Sequence, residues 1–416
     1  MSLMSKNFID DKTDVRMKGF LKKMRFQDAL LLVKRTTPEL EVEVVDILNA
    51  PNRILAEDVV ARFDIPLFSR SAMDGYAVIA EDTFGASPLN PIELPIVGEA
   101  FPGKKVKLAL KQGTTIKIMT GAMLPKNANA VVMAEYTEEK NHLVKVFAAV
   151  PPGKNVIHAG DDFRKGDVAI RKKTKIRPEH IGILANLNKT QVRVFKKPTV
   201  AIIATGNEIV RKRRPFKTID SNSPMLAALA KDSGALPSIK PIVKDDKEKI
   251  KKAILSCIED IILITGGTSV GEKDLAPIVV LDEGKLVFHG VSMRPASPAG
   301  FGVVKKKPIF LLPGSPVGAF IGFEAFVRPA IYKMQGCDFN PFDHLRKAKY
   351  KLTGKIASQA GRTDFVRVKI ERNCVLPFRL GGASALRTVA EASGVVVVPE
   401  NVEGYNTGES IEVNLF

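Results

Sequence analysis

IILITGGTSVGEKD, residues 261–274, is the stretch from which the fold is read. Ile261 to Ile264 form a short apolar run of strand type, and Thr265-Gly266-Gly267-Thr268-Ser269 breaks it with flexible backbone and three hydroxyls. Gly271 and two acids, Glu272 and Asp274, follow, and Pro277 with the apolar run 278–281 opens a helix. A strand, a glycine-rich loop and a helix entrance make an anion site, because unpaired N–H groups and the helix dipole both favour negative charge. Acids beside such a site repel a phosphate unless a divalent cation lies between them. The stretch therefore fits a phosphate-bearing ligand with Mg²⁺; a tight turn with solvated acids is the plainer alternative.

Moving outward, residues 198–335 alternate strand and helix. VAIIAT (200–205) leads into GNEI, and SNSPMLAALAKDS (221–233) is helical, with Gly234 at its C-terminal end. SIKPIV (238–243) ends at Asp245-Asp246, which open the helix KEKIKKAILSCIED. LVFHGVSM (286–293), GFGVV and PIFLL (308–312) are further strands, and Pro313-Gly314-Ser315-Pro316 opens the helix VGAFIGFEAFVRPAI. Such alternation predicts a parallel sheet with right-handed crossovers, whose ligands bind beyond the carboxyl ends of the strands. The loops TGNEI, VKDD, TGGTSVGEKD and LPGSP all lie at those ends, so their acids converge.

The flanking regions differ. Residues 26–62 read as helical, with Phe26, Leu30 and Val33 on one face, Pro38 as a stop and a second element before Pro51-Asn52. Residues 76–150 are short β-type runs cut by Gly, Pro and Asn, which predicts a small all-β domain. Residues 151–197 hold turns, a helix at about 178–187 that starts with Pro178, and the strand QVRVF. Residues 343–416 return to β character and suit a small barrel or sandwich.

At 416 residues the chain exceeds one ordinary core, and 45% hydrophobic residues is a globular composition. No apolar run approaches the ~20 residues of a membrane-spanning helix, and residues 1–25 lack the apolar core of a signal peptide. Three scattered cysteines exclude a zinc cluster and argue against a disulfide framework, which predicts a reducing cytoplasm. The five histidines show no paired ligand spacing. A net charge of +18 attracts polyanions, but tryptophan is absent and the basic runs read as free of interleaved aromatics, so base stacking is poorly supported.

Taken together, the motifs resemble the molybdenum insertases of the MoeA and gephyrin E-domain type. SAMDGYAV (71–78), TGAMLP with AVVMAE (120–135), ATGNEI (204–209), IDSN (219–222), TGGTSVGEKD (265–274), LPGSPVGAF (312–320) and GRTDF (361–365) carry the resemblance, from about residue 26 to 416. It implies an α/β multidomain protein. A three-layer α/β molybdopterin-binding domain (198–335) would carry a β-rich insertion domain (69–150), an N-terminal helical domain (1–68 plus 151–197) and a C-terminal β-barrel-like domain (343–416). It also implies a cytoplasmic homodimer with a shared cleft, transient contacts with other cofactor-biosynthesis proteins, and no membrane partner. The implied reaction is Mg²⁺-dependent insertion of molybdate into adenylylated molybdopterin, with release of AMP.

The resemblance also assigns roles. Glu208, Asp220 and Asp274 match acidic positions suited to Mg²⁺, which takes one or two carboxylates plus phosphate oxygens and waters; Asp274 and Glu208 are also catalytic candidates. Helix capping is the plainer role for Asp274. Gly266, Gly267, Thr268 and Ser269, with Gly314 and Ser315, would cradle a phosphate. Asp74 and Thr120 would reach the site from the other subunit, and Asp162 of GDD is a further candidate. Many members carry K-P-G-K-P, where this chain has Arg294-Pro295-Ala296-Ser297-Pro298, so one lysine becomes Arg294 and the second becomes Ser297. Asn207 stands where an acid is common, and Ala383-Ser384 with Arg387-Thr388 replace a serine pattern. Arg294 and Arg362 remain as oxyanion ligands. Competing readings are a molybdopterin adenylyltransferase with a TGGT-type loop, a tungstate-using paralogue and a non-catalytic scaffold; nucleic-acid binding rests on charge alone.

Overall fold

The structure, a computed structural model, describes residues 23–266, 275–378 and 386–416. The described residues fold as two compact units: those within 23–43, 52–54 and 194–416 form the first, and residues 44–51 and 55–193 the second.

The first unit is built on a six-stranded sheet in the order Leu236–Ile239, Thr199–Ala204, Ile261–Thr265, Lys307–Leu312, Gly300–Val304 and Gly284–His289. The first four strands are parallel, as the alternating pattern predicts. Gly300–Val304 runs antiparallel to both of its neighbours, which the alternation did not predict, so Gly284–His289 runs in the direction of the first four. The reversal of Gly300–Val304 follows from the two-residue turn Lys305-Lys306, both at positive φ, whose twist matches a tight hairpin. Central strand Ile261–Thr265 is buried along its whole length. One face packs on helices Lys247–Leu255 and Ala276–Glu283 through Ile250, Ile254, Val279 and Val280. The other packs on helices Asn222–Asp232 and Pro316–Gly322, and this core also takes Phe26, Ala29, Leu30 and Val33 from helix Phe26–Thr36.

The expected helical stretch 26–62 is one helix followed by strand Val42–Asp46 and a single 3₁₀ turn at Ile47–Asn49. β-branched Val42, Val44 and Val45, alternating with acids, favour the extended form. LVFHGVSM is likewise two strands: after Gly290, Val291–Arg294 leaves the six-stranded sheet and pairs in parallel with Thr363–Glu371. It thereby joins a seven-stranded sheet with Met24–Arg25, Arg346–Leu352, Cys374–Pro377, Gly394–Val398 and Ser410–Leu415, which closes through the pairing of Thr363–Glu371 with Gly394–Val398. Its interior is filled by Val366, Val368, Val375, Val396, Val398 and Val413.

The second unit carries a mixed six-stranded sheet in the order Ala130–Met133, Gly75–Val78, Thr115–Ile118, Ile92–Ala100, Leu143–Val146 and Thr137–Lys140. Gly75 is required where the strands approach: an added Cβ would lie 1.9 Å from the Val132 carbonyl oxygen. Helix Pro178–Asn186 begins at Pro178, as the sequence predicts. No described helix is long and apolar enough to cross a membrane.

Candidate active site

The carboxyl ends of the parallel strands gather the loops singled out in the sequence. Gly267, Thr268, Ser269 and Asp274 lie outside the described residues. Gly266 is described: its φ is +90°, and a Cβ there would stand 2.4 Å from the Thr205 carbonyl oxygen. Glycine is therefore needed at this turn both for its backbone angle and for the neighbouring loop. Gly314 approaches from the next strand end, where an added Cβ would be 3.5 Å from the Gly266 Cα. Ser315 follows, half-buried, at the entrance to helix Pro316–Gly322.

Asn222, buried in the first turn of helix Asn222–Asp232, ties these loops together. Its Nδ2 donates to Thr265 Oγ1 (2.9 Å) and to the Gly314 carbonyl oxygen (2.8 Å). Thr265 Oγ1 in turn donates to the Pro313 carbonyl oxygen at 3.3 Å. Asn222 Oδ1, Ser223 Oγ and Thr205 Oγ1 are buried at this sheet end without a hydrogen-bond partner among the described residues.

Glu208 is exposed, and its carbonyl oxygen accepts from Thr218 N at 2.9 Å. Half-buried Asp220 accepts from Ser223 N at 3.0 Å, so one carboxylate oxygen serves the start of the helix. Asp245 accepts from Asn207 N and Asp246 caps the helix at Lys249 N. Among the described residues no group of three His, Cys, Asp or Glu side chains is gathered as a metal site.

Arg294 and Arg362, expected to face an oxyanion, are turned to a protein carboxylate instead. Arg294 sits opposite Asp364 in the parallel pairing and forms an ion pair with it. Arg362 grips the same carboxylate with Nε to Oδ1 (2.8 Å) and Nη2 to Oδ2 (3.2 Å), and Ser358 Oγ donates to Oδ2 at 2.9 Å. Asp364 is completely buried, and two guanidinium groups against one carboxylate leave a net single positive charge. Ser297 Oγ donates to the Val291 carbonyl oxygen at 3.1 Å, a backbone brace in place of a second cation.

Two residues that sequence reasoning passed over stand out. Asp364 is visible in GRTDF, but only its register opposite Arg294 reveals its role. Arg367, three residues on, is 4% exposed, and no carboxylate among the described residues pairs with it. Its Nε donates to Thr388 Oγ1 at 3.0 Å, and burial pulls its pKa down. Alternation along Thr363–Glu371 could have placed Arg367 on the same face as Phe365, opposite the valines Val366 and Val368 that fill the barrel.

In the second unit, Asp74 and Thr120 meet: Asp74 Oδ1 accepts from Thr120 N (2.7 Å) and Thr120 Oγ1 (2.8 Å). These bonds hold the Asp74 carboxyl below its ordinary range, backbone donor first, and leave Oδ2 for a ligand. Asp162 is exposed, and its backbone N–H donates to the Ile65 carbonyl oxygen at 2.9 Å.

Three family models match the chain: the MoeA N-terminal region (domain I and II) over residues 24–188, the "Probable molybdopterin binding domain" over 201–333, and the MoeA C-terminal region (domain IV) over 349–416. A Methanocaldococcus jannaschii protein assigned to molybdopterin biosynthesis is 42% identical over 388 residues, covering 90% of this chain and 92% of that protein. A molybdopterin molybdenumtransferase of Staphylococcus epidermidis is 32% identical over 414 residues, with 94% of each chain covered. The crystal structure of a molybdopterin biosynthesis moeA protein from Pyrococcus horikoshii superposes with a TM-score of 0.83 at 34% identity, covering 95% of this chain and all of that one.

Proposed function

Because this chain belongs to the MoeA family, whose curated members are transferases of molybdenum cofactor biosynthesis, we propose that it inserts molybdate into adenylylated molybdopterin and releases AMP. The observation that carries this reading is the meeting of the Thr265-Gly266 and Pro313-Gly314 loops beside Glu208 and Asp220 at one sheet end. Glycines without Cβ atoms leave room there for phosphate oxygens to approach backbone.

The donor set fits Mg²⁺. No ion pair among the described residues engages Glu208 or Asp220, Asp220 keeps one oxygen, and two carboxylates with phosphate oxygens meet this ion's needs. A bound Mg²⁺ would neutralise charge on the phosphate oxygens. Glu208, Asp220 and Asp274 would hold it; Gly266, Gly267, Thr268, Ser269, Gly314 and Ser315 would seat the phosphates. Arg367 is the better oxyanion ligand than Arg294 or Arg362, because its buried charge has no carboxylate to satisfy it among the described residues. Asp74, fixed by Thr120, would join the site from a second copy in a cytoplasmic homodimer, with Asp162 assisting.

The test is turnover by purified protein with adenylylated molybdopterin, molybdate and Mg²⁺. AMP should be released in proportion to molybdate, Asp274→Asn should abolish it, and Arg367→Gln should raise the half-saturating molybdate concentration by about tenfold or more. Nucleotide binding without molybdate-dependent turnover would overturn the assignment. A monomer at micromolar concentration would overturn the shared cleft. Tungstate outcompeting molybdate would identify a tungstate-using paralogue.

A further inference from the structure

We infer that Asn222 is a positioning residue of this site, a clamp that sets the separation of the Thr265-Gly266 and Pro313-Gly314 loops; its catalytic consequence rests on the insertase reading above. One amide group spans the ends of two neighbouring parallel strands, donating to Thr265 Oγ1 at 2.9 Å and to the Gly314 carbonyl oxygen at 2.8 Å. Thr265 Oγ1 completes a triangle by donating to the Pro313 carbonyl oxygen at 3.3 Å. The sheet ladder itself weakens here: the last bond between these two strand ends, Gly266 N to the Leu312 carbonyl oxygen, is 3.3 Å. Beyond it, side chains rather than ladder bonds must fix the loop spacing.

Asn222 is poorly explained as a mere fold-stabilising residue. It is 7% exposed, yet its Oδ1 has no partner among the described residues, and Ser223 and Thr205, 1% and 2% exposed, likewise leave hydroxyls unpartnered there. An apolar side chain would fill this place without burying an orphan acceptor, which is destabilising. Helix Asn222–Asp232 does not need Asn222 for its start, because Asp220 already accepts from Ser223 N. What only an amide provides is two donors held at a fixed angle, one for each loop.

Two isosteric variants test the clamp. Asn222→Asp keeps the shape but sets an oxygen against the Gly314 carbonyl oxygen; Thr265→Val keeps Asn222 and removes one arm. Amide hydrogen exchange should show Gly266 losing protection by about tenfold or more in Asn222→Asp and less in Thr265→Val, with amides of Thr363–Glu371 unchanged. In the turnover assay, Asn222→Asp should lower kcat by about thirtyfold or more while half-saturating molybdate stays within about threefold, because the amide shapes the loops rather than holding the oxyanion. Unchanged Gly266 protection in both variants would overturn the proposal. So would equal loss of protection throughout the unit, which marks a residue that only supports the fold, or raised exchange with full kcat. If the wild-type protein does not turn over, the insertase reading fails, and the exchange result decides the clamp by itself.

Discussion

Asp364→Asn is the sharpest perturbation of the arginine cluster. The carboxylate is completely buried and accepts from Arg294, from two nitrogens of Arg362 and from Ser358. Removing its charge leaves two guanidinium groups facing each other across a neutral amide. Breaking one member of a buried ion cluster costs about 3–5 kcal/mol. Here the two arginine side chains are 35% and 25% exposed, so water recovers part of that, and about 3 kcal/mol is expected. Unfolding of a unit of this size shifts by about 2–4 °C per kcal/mol, so Tm should fall by roughly 6–12 °C. Urea titration followed by circular dichroism reads the free energy directly. Arg362→Met together with Asp364→Asn should cost clearly less than the sum of the two single changes, since the double variant leaves only one cation behind. A loss below about 1 kcal/mol, or strict additivity, would refute the anchoring role. The same variant separates two views of the arginines. If they serve Asp364, freeing them changes molybdate half-saturation less than Arg367→Gln does.

Two further outcomes follow from buried and bonded charges. Arg328, directly after the π-helical turn Phe323–Val327, is 3% exposed and grips Glu324 of that turn through two bonds of 2.8 Å, with Asp232 at 2.9 Å. Arg328→Met should cost about 3–5 kcal/mol, and Glu324→Gln should recover much of it. Burial pushes the Glu324 carboxyl up even against the pull of Arg328, so without Arg328 it rises further. A raised folded pKa gives stability present below the unfolded value and lost as pH rises through the folded one; the variant should therefore be less stable at about pH 8 than at about pH 5 in denaturant titrations. For Asp74 the shift is downward, so its contribution is present above the ordinary aspartate range and lost as pH falls through the lowered value. Thr120→Val removes one donor, and the Asp74 titration followed by NMR should move up; an unmoved midpoint would show that the backbone N–H acts alone.

Much of this protein was legible in its sequence because the signals are local. Period, punctuation and length identified the parallel strands, the helix starting at Pro178 and the β-rich insertion. The ordered motifs identified the family, and the rule for ligand position in α/β sheets pointed to the strand-end loops of Gly266, Gly314 and Glu208, while Asp220 entered through the resemblance. Tertiary structure decided what depends on partners distant in sequence. Arg294 and Arg362 read as free cations until Asp364 was placed opposite Arg294, and a guanidinium pairs with whichever carboxylate the register brings near. Arg367 read as one charge among 63 until tertiary packing buried the Phe365 face of its strand. Asn222 read as a residue at a helix start until two strand ends came within reach of one amide. Composition and spacing set which groups are available; register and burial set whether each group faces water, a counter-ion or an open site, and its chemistry follows from that.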